Sequence, residues 1–195
     1  MTGLGDTALV VLAAGLSRRY GAGNKLLHPF RGKPLVAHIA ELGAQLPVKF
    51  RIAVCPPDAP ELDVIFTGAG FEIARNRDPA SGQASSLACG ISTAAATDAE
   101  AAIVCLGDMP GVTADHLGAL LGALETAGAT GLSCSIADGV RMPPVAISAR
   151  RFGAFAALSG DKGGRDLLAE AAPVAVDADL LADYDTREQL ERAGA

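Results

Sequence analysis

The segment from residue 8 to residue 25 constrains the fold of this chain more than any other. Residues 8–12 form a short apolar run with β-branched side chains, which is typical of a strand buried on both faces. Three small residues follow at 13–15, and they leave backbone N–H groups open to an incoming ligand. The loop then supplies one hydroxyl and three cations, on Ser17, Arg18, Arg19 and Lys25. A buried strand that leads into such a loop predicts a site for a triphosphate.

Spacing excludes the two standard nucleotide loops. A P-loop requires G-x-x-x-x-G-K-[ST], whereas here Gly15 is followed by Gly21 and the lysine comes only at Lys25. The dinucleotide fingerprint G-x-G-x-x-G requires a second glycine where Ser17 stands. The loop therefore belongs to neither type.

Short apolar stretches alternate with helical patterns along the chain, which favours a layered α/β domain. The predicted strands are residues 8–12, 50–55, 71–74, 101–106, 132–136, 145–147 and 175–177. The predicted helices are residues 35–46, 83–95, 113–127 and 164–170, and a last helix whose capping box pairs Thr186 with Gln189. No repeat or low-complexity linker interrupts the pattern, so residues 1–195 are predicted to form one domain.

Composition disfavours several classes of protein. Half of the 195 residues are hydrophobic and the mean hydropathy is +0.31, but the apolar stretches are far shorter than the ~18 residues of a membrane span. The first residues lack the basic segment of a secretory signal, and the net charge of −6 disfavours a nucleic-acid partner. We therefore expect a cytoplasmic enzyme that binds neither membranes nor nucleic acids.

Cysteines and histidines show no metal-site spacing. The four cysteines are expected to be reduced thiols of the core: Cys55, Cys89, Cys105 and Cys134. The three histidines are expected to pack without a chemical role: His28, His38 and His116.

The first loop resembles the signature of the molybdenum-cofactor nucleotidyltransferases, L-A-[AG]-G-x-S-x-R-M-G followed by a lysine. The matching residues are Leu12, Ala13, Ala14, Gly15, Ser17, Arg19, Gly21 and Lys25, with Tyr20 where methionine is usual. Four further blocks match in the family's order, at residues 81–87, 106–110, 159–165 and 183–186. The resemblance implies a single three-layer, Rossmann-like α/β domain of the nucleotidyltransferase (GT-A-like) type with a mostly parallel sheet.

The resemblance also implies a reaction in which an acceptor phosphate oxygen attacks the α-phosphorus of an NTP and pyrophosphate leaves. Arg19, Lys25 and Asp108 are the expected catalytic residues, with Arg19 on the β- and γ-phosphates and Lys25 between the α-phosphate and the acceptor. The cofactor is expected to be Mg²⁺, held by Asp108 and Asp185. From the residues alone, Asp108 could equally bond its own turn, and Asp185 could stabilise a helix N-terminus.

Nucleotide binding is expected at Leu12, Ala13, Ala14, Gly15, Ser17, Arg19, Lys25, Gly82, Ser85, Ser86 and Asp108. The segment from Gly82 to Ser86 would recognise the base, although both serines could equally cap the helix that begins there. The family's guanylyl branch tends to carry glycine at the position of Ala14, whereas A-A-G-L-S resembles the cytidylyl branch. CTP is therefore the expected nucleotide.

The expected acceptor is the phosphate of molybdopterin, with Lys162 and Arg165 as candidate anchors and a molybdoenzyme as a candidate recipient of the product. Residues 141–147 depart from the family, because Arg141 and Met142 stand where a glycine and a polar residue are usual. Two alternatives stay open: a related transferase making a CDP-polyol or a nucleotide sugar, and a non-catalytic carrier of the cofactor. Retention of both metal carboxylates disfavours the carrier.

Overall fold

The apolar run near the N-terminus forms the central strand of the fold. The computed structural model describes residues 3–17, 19–21, 23–158 and 168–194, and in it Thr7–Leu12 forms strand β1. All six residues of β1 are buried, because strands pair with both of its edges and side chains pack on both of its faces. The predicted strand is confirmed.

Nine strands occur among the described residues. They are β1 (Thr7–Leu12), β2 (Pro29–Phe30), β3 (Lys33–Pro34), β4 (Phe50–Cys55), β5 (Glu72–Arg75), β6 (Ala101–Leu106), β7 (Leu132–Ala137), β8 (Val140–Ser148) and β9 (Ala172–Ala175). Seven of them form one sheet in the order β5-β4-β1-β6-β8-β7-β9, and β2 pairs with β3. β8 is antiparallel to both of its neighbours, and the other four pairings in the sheet are parallel. The expected mostly parallel sheet is confirmed.

Helices cover both faces of this sheet. They are α1 (Leu35–Gln45), α2 (Pro60–Gly68), α3 (Gln83–Ala95), α4 (Ala114–Thr126) and α5 (Phe152–Ala156). A further helix, α6 (Arg187–Gly194), packs through Leu190 against Phe30 and Leu35 instead. Because side chains alternate along a strand, Leu9 and Val11 of β1 pack into one core with α1, α2 and α4, while Ala8 and Val10 pack into another with α3 and α5. The three-layer α/β architecture is confirmed.

The bounds of two strands near the C-terminal half differ from the prediction. β9 covers residues 172–175 rather than 175–177, and its Pro173 is tolerated because β9 is an edge strand. β8 begins five residues before the predicted strand and includes Pro143 and Pro144. These prolines precede the pairing with β6, which begins at Val145, and they lie where the register with β7 shifts. Their missing N–H groups are therefore not needed by a regular ladder.

Helix α2 has no counterpart among the predicted elements. Its core-facing residues are Leu62 and Phe66, one turn apart, whereas Val64 between them is 72% exposed. The exposed Val64 obscures the helical period, and the β-branched Val64 and Ile65 weaken the helical propensity. The one clear start signal is Pro60 at the first position of the helix. Helix α5 is also missed, because five residues are too few to show a period.

The free cysteines agree with the expectation. Cys55, Cys105 and Cys134 are buried and Cys89 is half-buried, and none of the four forms a disulfide. Burial raises the pKa of the Cys55 and Cys105 thiols to about 12, which keeps both protonated at neutral pH. These side chains therefore act as small apolar residues of the core.

Several predictions concern residues that the structure does not describe. Residues 159–167 are among them, so Lys162, Arg165 and most of the helix predicted at 164–170 lie outside the described residues. Arg18 lies outside them as well. Within the described ranges, the longest helices are too short and too polar to cross a bilayer.

Gly90 of α3 lies against the central strands, and this contact gives a test of the packing. A Cβ at Gly90 would lie 2.5 Å from Cγ1 of Val10 and 2.9 Å from Cγ2 of Val54, both fully buried. We expect Gly90→Ala to lower the free energy of unfolding by about 1–3 kcal/mol, because stiff valines on central strands cannot move aside cheaply. Gly122→Ala in α4, where the new Cβ meets nothing within 4 Å, should instead raise it by roughly 0.5–1 kcal/mol. Urea unfolding measures both, and equal effects would contradict this steric account.

Candidate functional site

A cavity of about 490 Å³ opens at the carboxyl ends of β1 and β6, the edge at which open α/β sheets bind ligands. Four segments contribute to it: the first loop, the start of α3, the turn after β6 and the segment before α6. The lining residues are Leu12, Ala14, Gly15, Leu16, Ser17, Arg19, Lys25, Leu26, Pro79, Ala80, Gly82, Gln83, Ser86, Leu106, Asp108, Asp183 and Asp185. Four of the five blocks singled out in the sequence therefore meet at one cavity, and the fifth, at residues 159–165, lies outside the described residues.

Hydrogen bonds hold the first loop at both of its ends. At the start, the Ala13 N–H donates to the carbonyl of Val54 at 2.8 Å, so the sheet continues one residue past β1. Farther along, Ser17 adopts a φ of 48°, and its hydroxyl accepts from the backbone N–H of Lys25 at 3.2 Å. Lys25 opens a short 3₁₀ turn capped by the side-chain oxygen of Asn24. These bonds place the lysine side chain toward the cavity.

Lys25 is the centre of an ion network. Its Nζ lies 2.6 Å from Oδ2 of Asp108 and 2.8 Å from Oδ1 of Asp185. The second carboxylate oxygen of Asp185 is 2.6 Å from Nη1 of Arg19, whose side chain is 77% exposed. Burial alone would lower the pKa of Lys25, but the pairings with Asp108 and Asp185 outweigh it and the pKa is raised. The hydrogen bond from Lys25 in turn lowers the pKa of Asp185.

Asp108 carries an unpaired oxygen in this network. Its side chain is only 14% exposed, and Oδ1 is buried without a hydrogen-bond partner among the described residues. A buried carboxylate oxygen with no partner is costly in a folded protein. The unpaired oxygen is therefore an acceptor available to a cation or to a donor on a ligand.

The segment before α6 is fixed to the rest of the site by the predicted capping box. The Gln189 N–H donates to the Thr186 hydroxyl at 3.3 Å, and Oε1 of Gln189 accepts from the backbone N–H groups of Thr186 and Asp185, at 3.0 and 2.9 Å. Tyr184 packs on Phe30 with ring centroids 5.0 Å apart. The capping box is confirmed, and it places the Asp185 carboxylate on Lys25.

Tyr20, which stands where the family has methionine, joins the first loop to this same region. Its hydroxyl is hydrogen bonded to Nδ1 of His28 at 2.8 Å, and the guanidinium of Arg187 lies 5.0 Å from its ring centroid. The ring also packs against the small cluster around Phe30 and Leu190. Tyr20 therefore packs the loop beside Arg19 against α6, through contacts with Arg187 and with the cluster that contains Leu190.

The loop before α3 contributes only uncharged residues to the cavity lining. Gly82 has a φ of 91°, a conformation that favours glycine, and it directly precedes the helix. Asn76, 4% exposed, donates through Nδ2 to the hydroxyl oxygens of Ser85 and Ser86, at 2.9 Å each. Ser86 lines the cavity, whereas the Ser85 hydroxyl donates to the carbonyls of Asp78 and Gly82.

The structure brings together most of the predicted site residues. Arg19, Lys25, Asp108 and Asp185 form one network, and Leu12, Ala14, Gly15, Ser17, Gly82 and Ser86 line the same cavity. Two predicted residues are not part of the lining. Ala13 is 1% exposed with its N–H bonded to the sheet, and the Ser85 hydroxyl is held by the carbonyls of Asp78 and Gly82. This is not helix capping, because the hydroxyl donates to carbonyls instead of accepting from a backbone N–H.

Two residues of the site have no role among the sequence-based predictions. Asp183 lines the cavity, and its pKa is raised because it is partly desolvated and lies near the negative charges of Asp108 and Asp185. The signal that could have identified Asp183 is its position as the first residue of the block at 183–186, two residues before Asp185. Asn76 gave no signal in the sequence beyond following a predicted strand, because its contacts depend on the tertiary fold.

The described residues contain no group of three or more histidine, cysteine or acidic side chains that could enclose a metal ion. Mg²⁺ does not require such a group, because it often takes one or two carboxylates and completes its shell with phosphate oxygens and water. Asp108, with its unpaired oxygen, and Asp185 are hard oxygen donors of that kind. The donor set therefore fits a divalent cation bound together with a phosphorylated ligand.

Residues 9–175 match the MobA-like NTP transferase domain. The chain is 30% identical over 198 residues to nicotine blue oxidoreductase of Paenarthrobacter nicotinovorans, covering 96% of each chain. It is 28% identical to a protein of Mycobacterium sp. strain JC1 that is a homologue of Rv0371c of Mycobacterium tuberculosis. The crystal structure of the JC1 protein superimposes with a TM-score of 0.79 over 96% of this chain and 94% of that one.

A third similarity concerns the fold alone. Molybdopterin-guanine dinucleotide biosynthesis protein A of Archaeoglobus fulgidus is 17% identical, and its structure superimposes with a TM-score of 0.72 over 96% of each chain. The match over residues 9–175 includes the first loop with Lys25 and the turn with Asp108, whose side chains form an ion pair in the site. This chain belongs to the MobA-like NTP transferase domain family.

Proposed function

We propose that this nucleotidyltransferase moves CMP from CTP to the phosphate of molybdopterin and releases pyrophosphate. The observation that carries the proposal is the network of Arg19, Lys25, Asp108 and Asp185 in the lining of a nucleotide-sized cavity. The choice of molybdopterin and of CTP rests on the resemblance of the sequence blocks to the molybdenum-cofactor branch of the family.

Charge balance supports a divalent cation in this reaction. Among the described residues, the charged side chains of the lining are two cations, Arg19 and Lys25, and three carboxylates, Asp108, Asp183 and Asp185. One negative charge is left over, and a triphosphate would add several more. Binding therefore calls for a further cation, which Asp108 and Asp185 would hold. When bound, Mg²⁺ supplies charge neutralisation at phosphate oxygens and a template for their orientation.

The side chains of the site have roles that need no proton transfer. The attacking atom is an oxygen of the acceptor phosphate, which is already ionised at neutral pH; its bond to the α-phosphorus forms as the bond to pyrophosphate breaks. Lys25 would orient the attacking oxygen and the α-phosphate, and Arg19 would neutralise the charge that accumulates on the departing pyrophosphate. Both cations would first have to leave the Asp185 carboxylate with which they are paired in the structure.

The reaction itself is tested by pyrophosphate release. Purified protein is incubated with Mg²⁺, each of the four NTPs and molybdopterin, and then with a panel of phosphorylated polyols and sugars. We expect release that requires CTP and molybdopterin together. If pyrophosphate is released only with a different phosphorylated acceptor, that compound replaces molybdopterin in the proposal. If no combination of NTP and acceptor releases pyrophosphate, the transferase proposal is contradicted. Oxidation of NADH and NADPH is assayed in parallel, since one relative is named an oxidoreductase.

In the proposed mechanism Asp185 exchanges Arg19 and Lys25 for a divalent metal ion. The substitution Asp185→Asn should therefore change the affinity for CTP in opposite directions with and without metal. In EDTA, Asp185→Asn should bind CTP roughly tenfold more tightly than the parent, because it frees Arg19 and leaves Lys25 paired with Asp108 alone. In Mg²⁺, the same variant should bind roughly tenfold more weakly, because a metal ligand is lost. Isothermal titration calorimetry measures both affinities.

Glu191→Gln, the same charge change on an exposed position of α6, is the matched control and should alter neither affinity. If Asp185→Asn shifts the affinity in the same direction under both conditions, then Asp185 does not exchange protein cations for a metal.

The preference for the base should depend on the methyl group of Ala14. Ala14 lines the cavity and is 2% exposed, so its methyl is held in place and would crowd a purine. We expect CTP to be preferred over GTP by about 10–200-fold in kcat/KM, and Ala14→Gly to reduce that ratio. Ala13→Gly adds the same backbone freedom one residue away, outside the lining, and should leave the ratio unchanged. Equal kcat/KM for CTP and GTP in the parent would refute this basis for selectivity.

A further inference from the structure

We propose that Asn76 is a positioning residue that fixes the direction of the Ser86 hydroxyl, so that Ser86 donates a hydrogen bond to an acceptor atom of the nucleotide base. This inference rests on the proposed binding of a nucleotide and assigns one hydrogen bond within it. The groups involved are two side chains and one backbone N–H, and each step follows from what these groups can donate or accept.

Asn76 lies at the carboxyl edge of the sheet, directly after β5. Its side chain is 4% exposed, and its backbone N–H donates to the carbonyl of Cys55 at 3.0 Å. A side-chain amide buried at this depth has to satisfy its oxygen and its nitrogen within the protein. The contacts of both groups are therefore informative.

The orientation of the amide is determined by a backbone group. The Asp78 N–H lies 3.0 Å from Oδ1 of Asn76, and a backbone N–H can only donate, so the oxygen must face Asp78. Nδ2 then faces the two serines, 2.9 Å from each hydroxyl oxygen. An amide nitrogen can only donate, so both serine oxygens accept from Asn76.

The two serines differ in where their own hydrogens can go. The Ser85 hydroxyl has protein acceptors, the carbonyls of Asp78 and Gly82, both at 2.8 Å. The Ser86 hydroxyl has no acceptor among the described residues, and it lines the cavity while only 5% exposed. Because Asn76 occupies the acceptor side of Ser86, its hydrogen is left to point at a ligand.

The surroundings of Ser86 indicate which part of the ligand it meets. The cavity-lining residues from 79 to 86 are uncharged, whereas the charged side chains of the lining come from the other segments. A triphosphate belongs with the cations, so the uncharged base belongs with Ser86. A pyrimidine offers a ring carbonyl and, in cytosine, a ring nitrogen as acceptors for this hydrogen.

Asn76→Asp should reverse the direction of the hydrogen bond between residue 76 and the Ser86 hydroxyl, with almost no change in the shape of the side chain. A carboxylate still accepts from Asp78, but it would also accept the Ser86 hydrogen and withdraw it from the ligand. We expect the Kd for CTP in Mg²⁺ to rise about three- to tenfold, with kcat nearly unchanged, because the bond is made equally in the ground and transition states. Calorimetry measures the affinity, and a thermal melt reports on the fold, since a buried carboxylate is destabilising.

A double-mutant cycle separates this role from a structural one. Ser86→Ala removes the hydrogen outright, so adding Asn76→Asp in that background should cost no further affinity. If the losses instead add, Asn76 does not act through Ser86 and the inference is wrong. Asn76→Ala, which releases the hydroxyl without reversing it, should weaken CTP less than Asn76→Asp, and it provides the comparison if the aspartate variant does not fold.

Inorganic triphosphate, which has no base, should bind the parent and all of these variants equally. A loss for triphosphate as large as that for CTP would place Ser86 on the phosphates and overturn the assignment to the base. Failure of the parent to bind any NTP would overturn the proposed function and this inference with it. A parent that binds CTP with additive losses would overturn the inference alone.

Discussion

The ammonium group of Lys25 is the interaction on which the arrangement of the site depends. It joins Asp108, in the turn after the central strand β6, to Asp185, which lies 160 residues along the chain from the lysine. The Lys25 side chain is only 12% exposed, and an ammonium removed from water in this way is costly unless oxygens surround it. The first loop, the β6 turn and the C-terminal segment therefore have to converge, and any change that moves one of them leaves a charge unpaired.

This dependence explains why so much of the chain outside the cavity serves to hold its edges. Gly111 is one example, because a Cβ there would lie 2.9 Å from the carbonyl oxygen of Leu180, and so the β6 turn can approach the C-terminal segment only at a glycine. The capping box at Thr186 and the packing of Tyr184 on Phe30 act on the same segment from its other side. Together they fix Asp185 closely enough to serve two cations at once.

The parts of the fold that could be predicted from the sequence are those in which local pattern and tertiary position agree. β4, β6 and α3 have their predicted bounds because central strands read as unbroken apolar runs and α3 shows a clear helical period. Where the two conflict, the pattern misleads. Prolines conceal β8, which tolerates them because its ladder is interrupted there, and the exposed Val64 obscures the helical period of α2.

The same distinction separates what could be predicted of the site from what could not. Strand order predicts that Arg19, Lys25 and Asp108 lie together, because carboxyl ends of parallel strands share one edge. Asp185 does not directly follow a strand, and only the resemblance to the family predicts its place in the site. Adjacent serines are different: Ser85 and Ser86 have the same chemistry, and only the rotation of α3, set by the burial of Ala84 and Leu87, decides which one faces the cavity. The direction of the Ser86 hydroxyl depends on one further contact. It is set by the side-chain amide of Asn76, whose own orientation is fixed by the backbone N–H of Asp78. The direction of such a hydrogen bond depends on which donor or acceptor each neighbouring group already uses. These neighbours come together only in the folded chain, so the sequence alone does not reveal the direction.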